Sequence, residues 1–269
     1  MGDHGAGVGK EGRVRRSAGS PAEILSGGAT QRGSEGTRRG AAADRARTPE
    51  PRLVNGRGET RLERCGSRSG TIDVGRRVAV FGGSFDPIHV GHLTLARHAR
   101  EACDLDEVVC VPVGDPPHKA GPVASAEDRL AMVTLAIDGE PKTSVSRIEV
   151  DRQGKSYTVD TLSALLDEDP NLDLHLLIGA DNAVEMGSWH EPERVLELSR
   201  VTVLCRPGWD RGRVPSSLAG RMTFLDSPLI DCSSTEIRTR LSEGASVEGL
   251  VADCVTRYIE SHRLYGVPS

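Results

Sequence analysis

The sequence predicts an α/β fold, a doubly wound and mainly parallel sheet with helices on both faces. From residue 77 onward, short apolar runs alternate with amphipathic stretches, at an interval that suits repeated strand–helix units. The polar clusters that stand out in the chain directly follow predicted strands. Because ligand-binding residues of parallel sheets lie beyond the carboxyl ends of the strands, this placement favours the same fold.

Each element is justified by its own pattern of apolar residues. The predicted helix over 90–102 carries Leu93, Ala96 and Ala99 at helical spacing, and Ser125 begins the next helix as its capping residue. The predicted strands are short apolar or alternating runs at 78–81, 108–113, 145–150, 174–178, 201–204 and 222–225. The remaining predicted helices cover 158–166, 192–198, 233–241 and 247–262.

The first 75 residues differ in composition from the rest of the chain. They hold 16 of the 31 glycines, none of the eight aromatic residues and only nine Leu, Ile, Val or Phe residues. They carry a net charge of +5, whereas residues 76–269 carry −10. So little apolar surface cannot offset the entropy that is lost when a chain becomes ordered. We therefore predict a disordered Gly/Arg-rich extension over 1–75 and a single domain over 76–269.

Composition also disfavours several classes of protein. No run of about 18 apolar residues is present to span a bilayer, and the N-terminus has no apolar segment typical of a signal peptide. The basic extension would attract nucleic acid, but its arginines are interspersed with acidic residues and it has no aromatic side chain to stack on a base. The six cysteines include no C-x-x-C pair and are predicted to be reduced thiols. We expect a cytoplasmic protein with no membrane partner and no nucleic-acid partner.

The most informative segment is FGGSFDPIHVGH, residues 81–92. Gly82 and Gly83 follow a predicted strand and would let a bound group approach the backbone closely. His89 and His92 lie three residues apart at the start of a predicted helix, so their rings point to one side, where we also expect free N–H groups and partial positive charge. This arrangement suits a polyphosphate. Two alternatives stay open, a zinc site that lacks a further ligand and a purely structural pair of histidines.

A second segment, SSTEIR over 233–238, has hydroxyl groups at a predicted helix start and an arginine one turn inside it, which suits a second anion. Together with GGSFDPIHVGH, this segment resembles the paired HxGH and SSTxxR motifs of the nucleotidylyltransferase superfamily, whose fold is Rossmann-like. The resemblance implies that His89 and His92 are catalytic. It also implies an ATP site formed by Gly82, Gly83, Ser84, Phe85, Gly179, Asp181, Ser233, Ser234, Thr235 and Arg238.

Further segments, spread over 77–266, resemble the nicotinate-nucleotide adenylyltransferases within that superfamily. They are VPVGDPPHK (111–119), SYTVDTL (156–162), IGADNAVEMGSWHEP (178–192), CRPG (205–208) and YIESHRLYG (258–266). Trp189 offers a flat face for a pyridine ring, and Tyr157 and Thr158 offer backbone groups for its carboxylate. The resemblance implies a mononucleotide site formed by His118, Lys119, Tyr157, Thr158, Trp189, His190 and Arg206.

The function that the resemblance implies is adenylyl transfer from ATP to nicotinate mononucleotide in NAD biosynthesis, which yields deamido-NAD and pyrophosphate. Mg²⁺ would accompany ATP with mostly water ligands, so no metal site built by the protein is expected. Other HxGH adenylyltransferases, which act on pantetheine phosphate, FMN or nicotinamide mononucleotide, are alternatives. A nucleotide-binding regulator without catalysis is another alternative. A homo-oligomer is compatible with the sequence, which does not determine the assembly.

Overall fold

The computed structural model describes residues 75–117 and 123–267, and the predicted extension over 1–75 lies almost entirely outside the described residues. The strands are β1 (Arg77–Gly83), β2 (Glu107–Pro112), β3 (Thr143–Val145), β4 (Asp173–Gly179), β5 (Arg200–Cys205) and β6 (Met222–Asp226). The helices are α1 (Val90–Ala102), α2 (Ala126–Ile137), α3 (Thr158–Glu168), α4 (Ala180–Glu185), α5 (Pro192–Leu198), α6 (Ser216–Ala219), α7 (Ser234–Ser242) and α8 (Asp253–Ser261). Short 3₁₀ helices cover Met186–Ser188, Arg211–Arg213 and Leu264–Gly266.

The six strands form one parallel sheet in the order β3-β2-β1-β4-β5-β6. From β1, the next two strands, β2 and β3, are added on one side of β1. The chain then crosses to the other side of β1, where β4, β5 and β6 are added in order. The strand order therefore reverses between β1 and β4, where Val80 pairs with Leu176. In sheets of this kind the ligand site lies at that reversal. The fold is Rossmann-like, which confirms the predicted fold class.

Two apolar layers cover the two faces of the sheet, because alternate strand residues point to opposite sides. Ala79 and Phe81 of β1 face a core that α1, α2, α7 and α8 complete. Val78 and Val80 face a second core, completed by α3, α4, α5 and α6. The predicted helices on both faces are thus confirmed. No helix in the described part of the chain is both long and apolar enough to cross a bilayer.

Two predicted elements were wrong in extent. The strand predicted over 145–150 is instead β3, which ends at Val145, and the chain then turns at 148–150 so that Glu149 becomes buried. The alternation that resembled a strand reflects this turn. The helix predicted over 247–262 begins only at Asp253, because Gly249 has a positive φ of 75° and Glu248 forms a single parallel bridge with Val251.

Candidate active site

A cavity of about 470 Å³ opens where the carboxyl ends of β1 and β4 meet. Residues of β1, of β4 and of the loops that follow β1 and β2 line it, together with the start of α3 and the start of α7. Ten of the predicted site residues are among the lining residues: Gly82, Gly83, Ser84, Tyr157, Thr158, Trp189, His190, Ser234, Thr235 and Arg238. The structure therefore brings residues of both motifs to one cavity, although the motifs are far apart in sequence.

The other predicted site residues lie elsewhere. His118 and Lys119 fall outside the described residues. Phe85, His89, His92, Gly179, Asp181, Ser233 and Arg206 are not among the residues that line the cavity. Phe85 is fully buried in the core, and its ring packs edge-on against the ring of His92 at 5.0 Å. Ser233 caps α7, since its hydroxyl accepts a hydrogen bond from the N–H of Glu236 at 3.2 Å.

The two histidines at the start of α1 lie side by side, with ring centroids 3.8 Å apart. The Nδ1 atom of His89 accepts from the N–H of Gly91 at 3.1 Å, and the Nδ1 atom of His92 accepts from the N–H of His89 at 3.3 Å. Burial lowers the pKa of His89 to about 4. Burial, together with His89 itself, lowers the pKa of His92 well below its ordinary value. Both rings are therefore neutral at pH 7 and carry their proton on Nε2.

The predicted supply of free N–H groups at the start of α1 is wrong. Besides the two bonds to imidazole nitrogens, Val90 N donates to the Leu250 carbonyl at 2.9 Å and His92 N donates to the His89 carbonyl at 3.0 Å. The four N–H groups from His89 to His92 thus all have partners within the protein. The donors that α1 has left for a ligand are the Nε2–H groups of the histidines rather than the helix backbone.

Gly91 is a residue that sequence reasoning missed within this motif. A Cβ atom at this position would lie 2.8 Å from both Cε1 and Nδ1 of the His89 ring, and 3.4 Å from Cγ2 of Ile230. The glycine therefore lets the His89 ring fold back over the helix start and accept from the Gly91 N–H. The signal in the sequence was the H-x-G-H spacing of residues 89–92, which places a glycine directly before the second histidine and could have identified Gly91.

The second motif docks directly on the first. The Ser234 hydroxyl donates to the Pro87 carbonyl at 3.0 Å. The Arg238 guanidinium donates to the Asp86 carbonyl at 2.7 Å and to the Thr235 hydroxyl at 3.2 Å. Residues about 150 positions apart thereby become one surface with hydroxyl and guanidinium donors at the mouth of the cavity.

Two buried charged residues organise the loops around this surface, and sequence reasoning missed both roles. The Asp86 carboxylate accepts from the N–H groups of Val123 at 2.8 Å and Ala124 at 3.1 Å, and from the Tyr265 hydroxyl at 2.8 Å. The guanidinium of Arg129, which is 1% exposed, donates to the carbonyls of Ser84, Val113 and Ala124. A helical arginine gives no sign in the sequence that it will be buried, because most lie in solvent.

The other end of the cavity is aromatic. Trp189 and His190 line it, and the His190 ring lies 4.5 Å from the ring of Tyr157, measured between centroids. Glu149 also lines this end and is 8% exposed. Burial raises the pKa of Glu149, while hydrogen bonds from Thr161 and other neighbours oppose the rise. A flat apolar face beside polar groups suits an aromatic heterocycle that carries a polar substituent.

Comparison with known proteins connects these features. The family model described as cytidylyltransferase-like matches residues 80–240. The probable nicotinate-nucleotide adenylyltransferase of Thermus thermophilus is 44% identical over 189 residues, which cover 70% of this chain and 99% of that protein. The protein of that name from Synechococcus sp. is 39% identical over 199 residues, which cover 72% of this chain and 98% of the relative.

A solved structure agrees in fold. The Plasmodium falciparum nicotinic acid mononucleotide adenylyltransferase complexed with NaAD is similar with a TM-score of 0.60 at 20% identity, over 72% of this chain and 98% of that chain. The family match spans both motifs, and the sequence relatives are covered almost from end to end. This chain therefore belongs to the cytidylyltransferase-like family and, within it, to the nicotinate-nucleotide adenylyltransferases.

Proposed function

We propose that this chain transfers the adenylyl group of ATP to nicotinate mononucleotide, with release of pyrophosphate and deamido-NAD. One observation carries the proposal: Ser234 and Arg238 bond to the Asp86-Pro87 backbone, so that both motifs contribute donors to one cavity between β1 and β4. The names of the sequence relatives support it. Further support comes from the Plasmodium falciparum structures, which are complexed with NaAD and with APC.

The reaction depends on positioning and charge stabilisation more than on acid–base chemistry. The ionised 5′-phosphate of the mononucleotide is already a nucleophile at neutral pH, so it attacks the α-phosphorus of ATP without a general base. A bond forms between an oxygen of the 5′-phosphate and the α-phosphorus. The bond between the α-phosphorus and the oxygen that bridges to the β-phosphorus breaks, and pyrophosphate leaves with its electron pair. His89 and His92 donate from Nε2 to the phosphoryl oxygens, because both Nδ1 atoms already act as acceptors.

The remaining roles follow from chemistry and from location in the cavity. Ser234, Thr235 and Arg238 hold the leaving pyrophosphate through hydroxyl and guanidinium donors. Trp189 faces the pyridine ring, and the segment at Tyr157 and Thr158 holds its carboxylate. The ATP contacts proposed for Gly82, Gly83, Ser84, Phe85, Gly179, Asp181 and Ser233 stay predictions, as do the mononucleotide contacts of His118, Lys119, His190 and Arg206.

A divalent cation enters with ATP in this proposal. Among the described residues, no three His, Cys, Asp or Glu side chains group so as to hold a metal ion. Mg²⁺ fits a substrate-borne role, because it keeps several water ligands and is bound through phosphate oxygens in many ATP-using enzymes. Its chemistry would be to neutralise phosphate charge. Rates measured with Mg²⁺, Mn²⁺ or Ca²⁺ after treatment with a chelator test this assignment.

The decisive experiment is a panel of acceptors. Pyrophosphate release from ATP is measured with nicotinate mononucleotide, nicotinamide mononucleotide, pantetheine phosphate or FMN. We expect the highest kcat/KM with nicotinate mononucleotide. Turnover confined to pantetheine phosphate or FMN would contradict the proposal, and a higher kcat/KM with nicotinamide mononucleotide would revise its acceptor. Binding of ATP with no turnover on any acceptor would instead support a regulator without catalysis.

A further inference from the structure

Glu149 is a buried acidic residue that belongs to neither motif and that the mechanism above does not use. It lies in the turn that follows β3, is 8% exposed and lines the aromatic end of the cavity. Burial of a carboxylate is costly unless hydrogen bonds satisfy its oxygens. The partners of those oxygens therefore indicate which part of the protein this residue organises.

The carboxylate bonds to residues on both sides of Tyr157 and Thr158. It accepts a hydrogen bond from the Thr161 hydroxyl, in the first turn of α3, at 2.8 Å. It also accepts from the Ser156 hydroxyl and from the backbone N–H of Gly114. The segment that carries the proposed mononucleotide contacts is thus held at both of its ends by one side chain.

The charged neighbour of Glu149 acts on the same segment. The Arg152 guanidinium donates to the Thr161 hydroxyl at 3.1 Å and opposes the rise in the pKa of Glu149. The Thr161 hydroxyl thus lies between the guanidinium and the carboxylate. Loss of the carboxylate would leave this hydroxyl without its acceptor at 2.8 Å and the Arg152 guanidinium without a nearby buried negative charge.

The backbone of Glu149 also meets the loop that follows β2. A Cβ atom on Gly114 would lie 2.1 Å from the Glu149 carbonyl oxygen, so only glycine allows this approach. The same loop is joined to Ser156, whose N–H donates to the Asp115 carbonyl at 2.9 Å. Three segments that line the cavity therefore converge on Glu149: the loop after β2, the turn after β3 and the start of α3.

We propose that Glu149 is a positioning residue for recognition of the mononucleotide, and that it acts by holding Tyr157 and Thr158 against the cavity. This inference rests on the proposed function. Glu149 takes no part in the transfer of the adenylyl group. Its loss therefore affects binding of the acceptor much more than binding of ATP, whose proposed contacts lie on β1 and the loop after it, at the end of β4, on α4 and at the start of α7.

The test compares Glu149→Ala, Glu149→Gln and Thr161→Val with the full-length wild-type chain. We expect Glu149→Ala to raise KM for nicotinate mononucleotide at least about tenfold, with KM for ATP within about twofold of wild type. Glu149→Gln keeps an acceptor oxygen for Thr161 and should recover most of the loss. Calorimetric titration with the mononucleotide alone should give the same order of affinities. The matched control is Glu127→Gln. Glu127 lies in the first turn of α2, is exposed, and pairs with Arg147, which is two residues before Glu149.

Each outcome has a distinct meaning. Equal increases in both KM values of Glu149→Ala, or no change in either, would overturn the positioning role. If Glu149→Ala does not fold, as judged by circular dichroism, Thr161→Val decides the question through the same ratio of KM values, because it removes the hydroxyl that donates to the carboxylate. If the wild-type chain shows no turnover with nicotinate mononucleotide, the proposed function has failed. If the wild-type chain turns over and both Glu149→Ala and Thr161→Val match it, only the role of Glu149 has failed.

Discussion

At the scale of single residues, His89 and His92 at the start of α1 each accept a hydrogen bond from the backbone of the helix start. This use of Nδ1 has a chemical consequence. A ring that accepts at Nδ1 and is neutral must carry its proton on Nε2. The same bonds that cap the helix therefore select the tautomer that the proposed mechanism requires. Helix capping and the proposed contact to phosphate use opposite nitrogens of the same rings.

Replacement of His92 by alanine tests this assignment. We expect His92→Ala to lower kcat for pyrophosphate release by about 10²–10³-fold, because one donor to the developing charge is lost. His98→Ala is the matched control, since His98 lies on the same helix and bonds through Nε2 to the carbonyl of Asp226. Near wild-type turnover of His92→Ala would remove His92 from the mechanism.

Gly91 gives a second prediction at this scale. A methyl group at this position collides with the His89 ring at 2.8 Å, so Gly91→Ala should displace the ring and lower kcat by about 10²-fold. Gly220→Ala is the control, because a Cβ atom there would meet no atom within 4 Å. Initial rates and thermal melts of both variants are compared. Unchanged kcat in Gly91→Ala would mean that the ring position is not critical.

At the scale of elements, α2 secures the loops around the site through Arg129. Its guanidinium bonds to carbonyls in the loop after β1, the loop after β2 and the approach to α2 itself. Asp86 lies near this charge and helps to keep Arg129 protonated, against the effect of burial, which lowers the pKa of Arg129. One buried cation therefore replaces the regular backbone hydrogen bonds that these loops lack.

Arg129→Met should be strongly destabilising. The variant leaves three carbonyls without their donor and removes the buried positive charge near Asp86, which costs about 3–5 kcal/mol of unfolding free energy. Urea denaturation followed by circular dichroism measures this loss. Arg147→Met is the control, because Arg147 is half exposed and its ion pairs lie in solvent, so its midpoint should shift far less. Equal shifts in the two variants would contradict the structural role of Arg129.

At the scale of the whole molecule, the sheet buries His175 near the amino end of β4, whereas the site lies at the carboxyl ends of the strands. The residue is fully buried, and within the described residues neither ring nitrogen has a hydrogen-bond partner, although the Asp173 carboxylate lies 3.8 Å from Nε2. Burial lowers the pKa of His175 to about 4, with Arg77 and Arg200 acting in the same direction and Asp173 against it. The folded state thus disfavours the protonated ring.

Acid should therefore destabilise the fold through His175. The unfolded chain takes up the proton near pH 6.5 and the folded chain only near pH 4, so stability falls between these values, by up to about 3 kcal/mol. His175→Leu should lose less unfolding free energy than wild type when the pH is lowered from 7 to 4.5. His89 and His92 contribute in both proteins, so the difference isolates His175. If the unfolding free energies of the two proteins fall in parallel as the pH is lowered, His175 does not cause the loss of stability.

The N-terminal extension gives the second prediction for the whole molecule. β1 begins at Arg77, and of the residues that the structure describes, those that line the cavity all lie at or after Val80. We therefore expect the same kcat/KM from the full chain and from a chain that starts at Gly75. Steady-state rates on ATP and nicotinate mononucleotide compare the two. A clear loss in the shorter chain would assign a catalytic role to residues 1–74.

Local patterns in the sequence were enough to predict the architecture and the class of reaction. Alternation of apolar runs with amphipathic stretches is a local property, and it predicted a parallel sheet with helices on both faces. GGSFDPIHVGH and SSTEIR are likewise contiguous segments, so they could be recognised without knowledge of the packing. The two wrong element boundaries lie at the turn after β3 and before α8, where periodicity matched the wrong local structure.

The polar groups that are available to a ligand could not be predicted from local patterns, because they depend on packing between distant segments. The N–H groups of α1 are occupied partly because Leu250 lies against Val90, and Ser234 and Arg238 bond to a turn about 150 residues away. The burial of Glu149, Arg129 and His175 likewise depends on elements that are distant in sequence. Hydrogen-bond partners and desolvation are set by packing across the whole fold, whereas local sequence patterns carry only the periodicity of single elements.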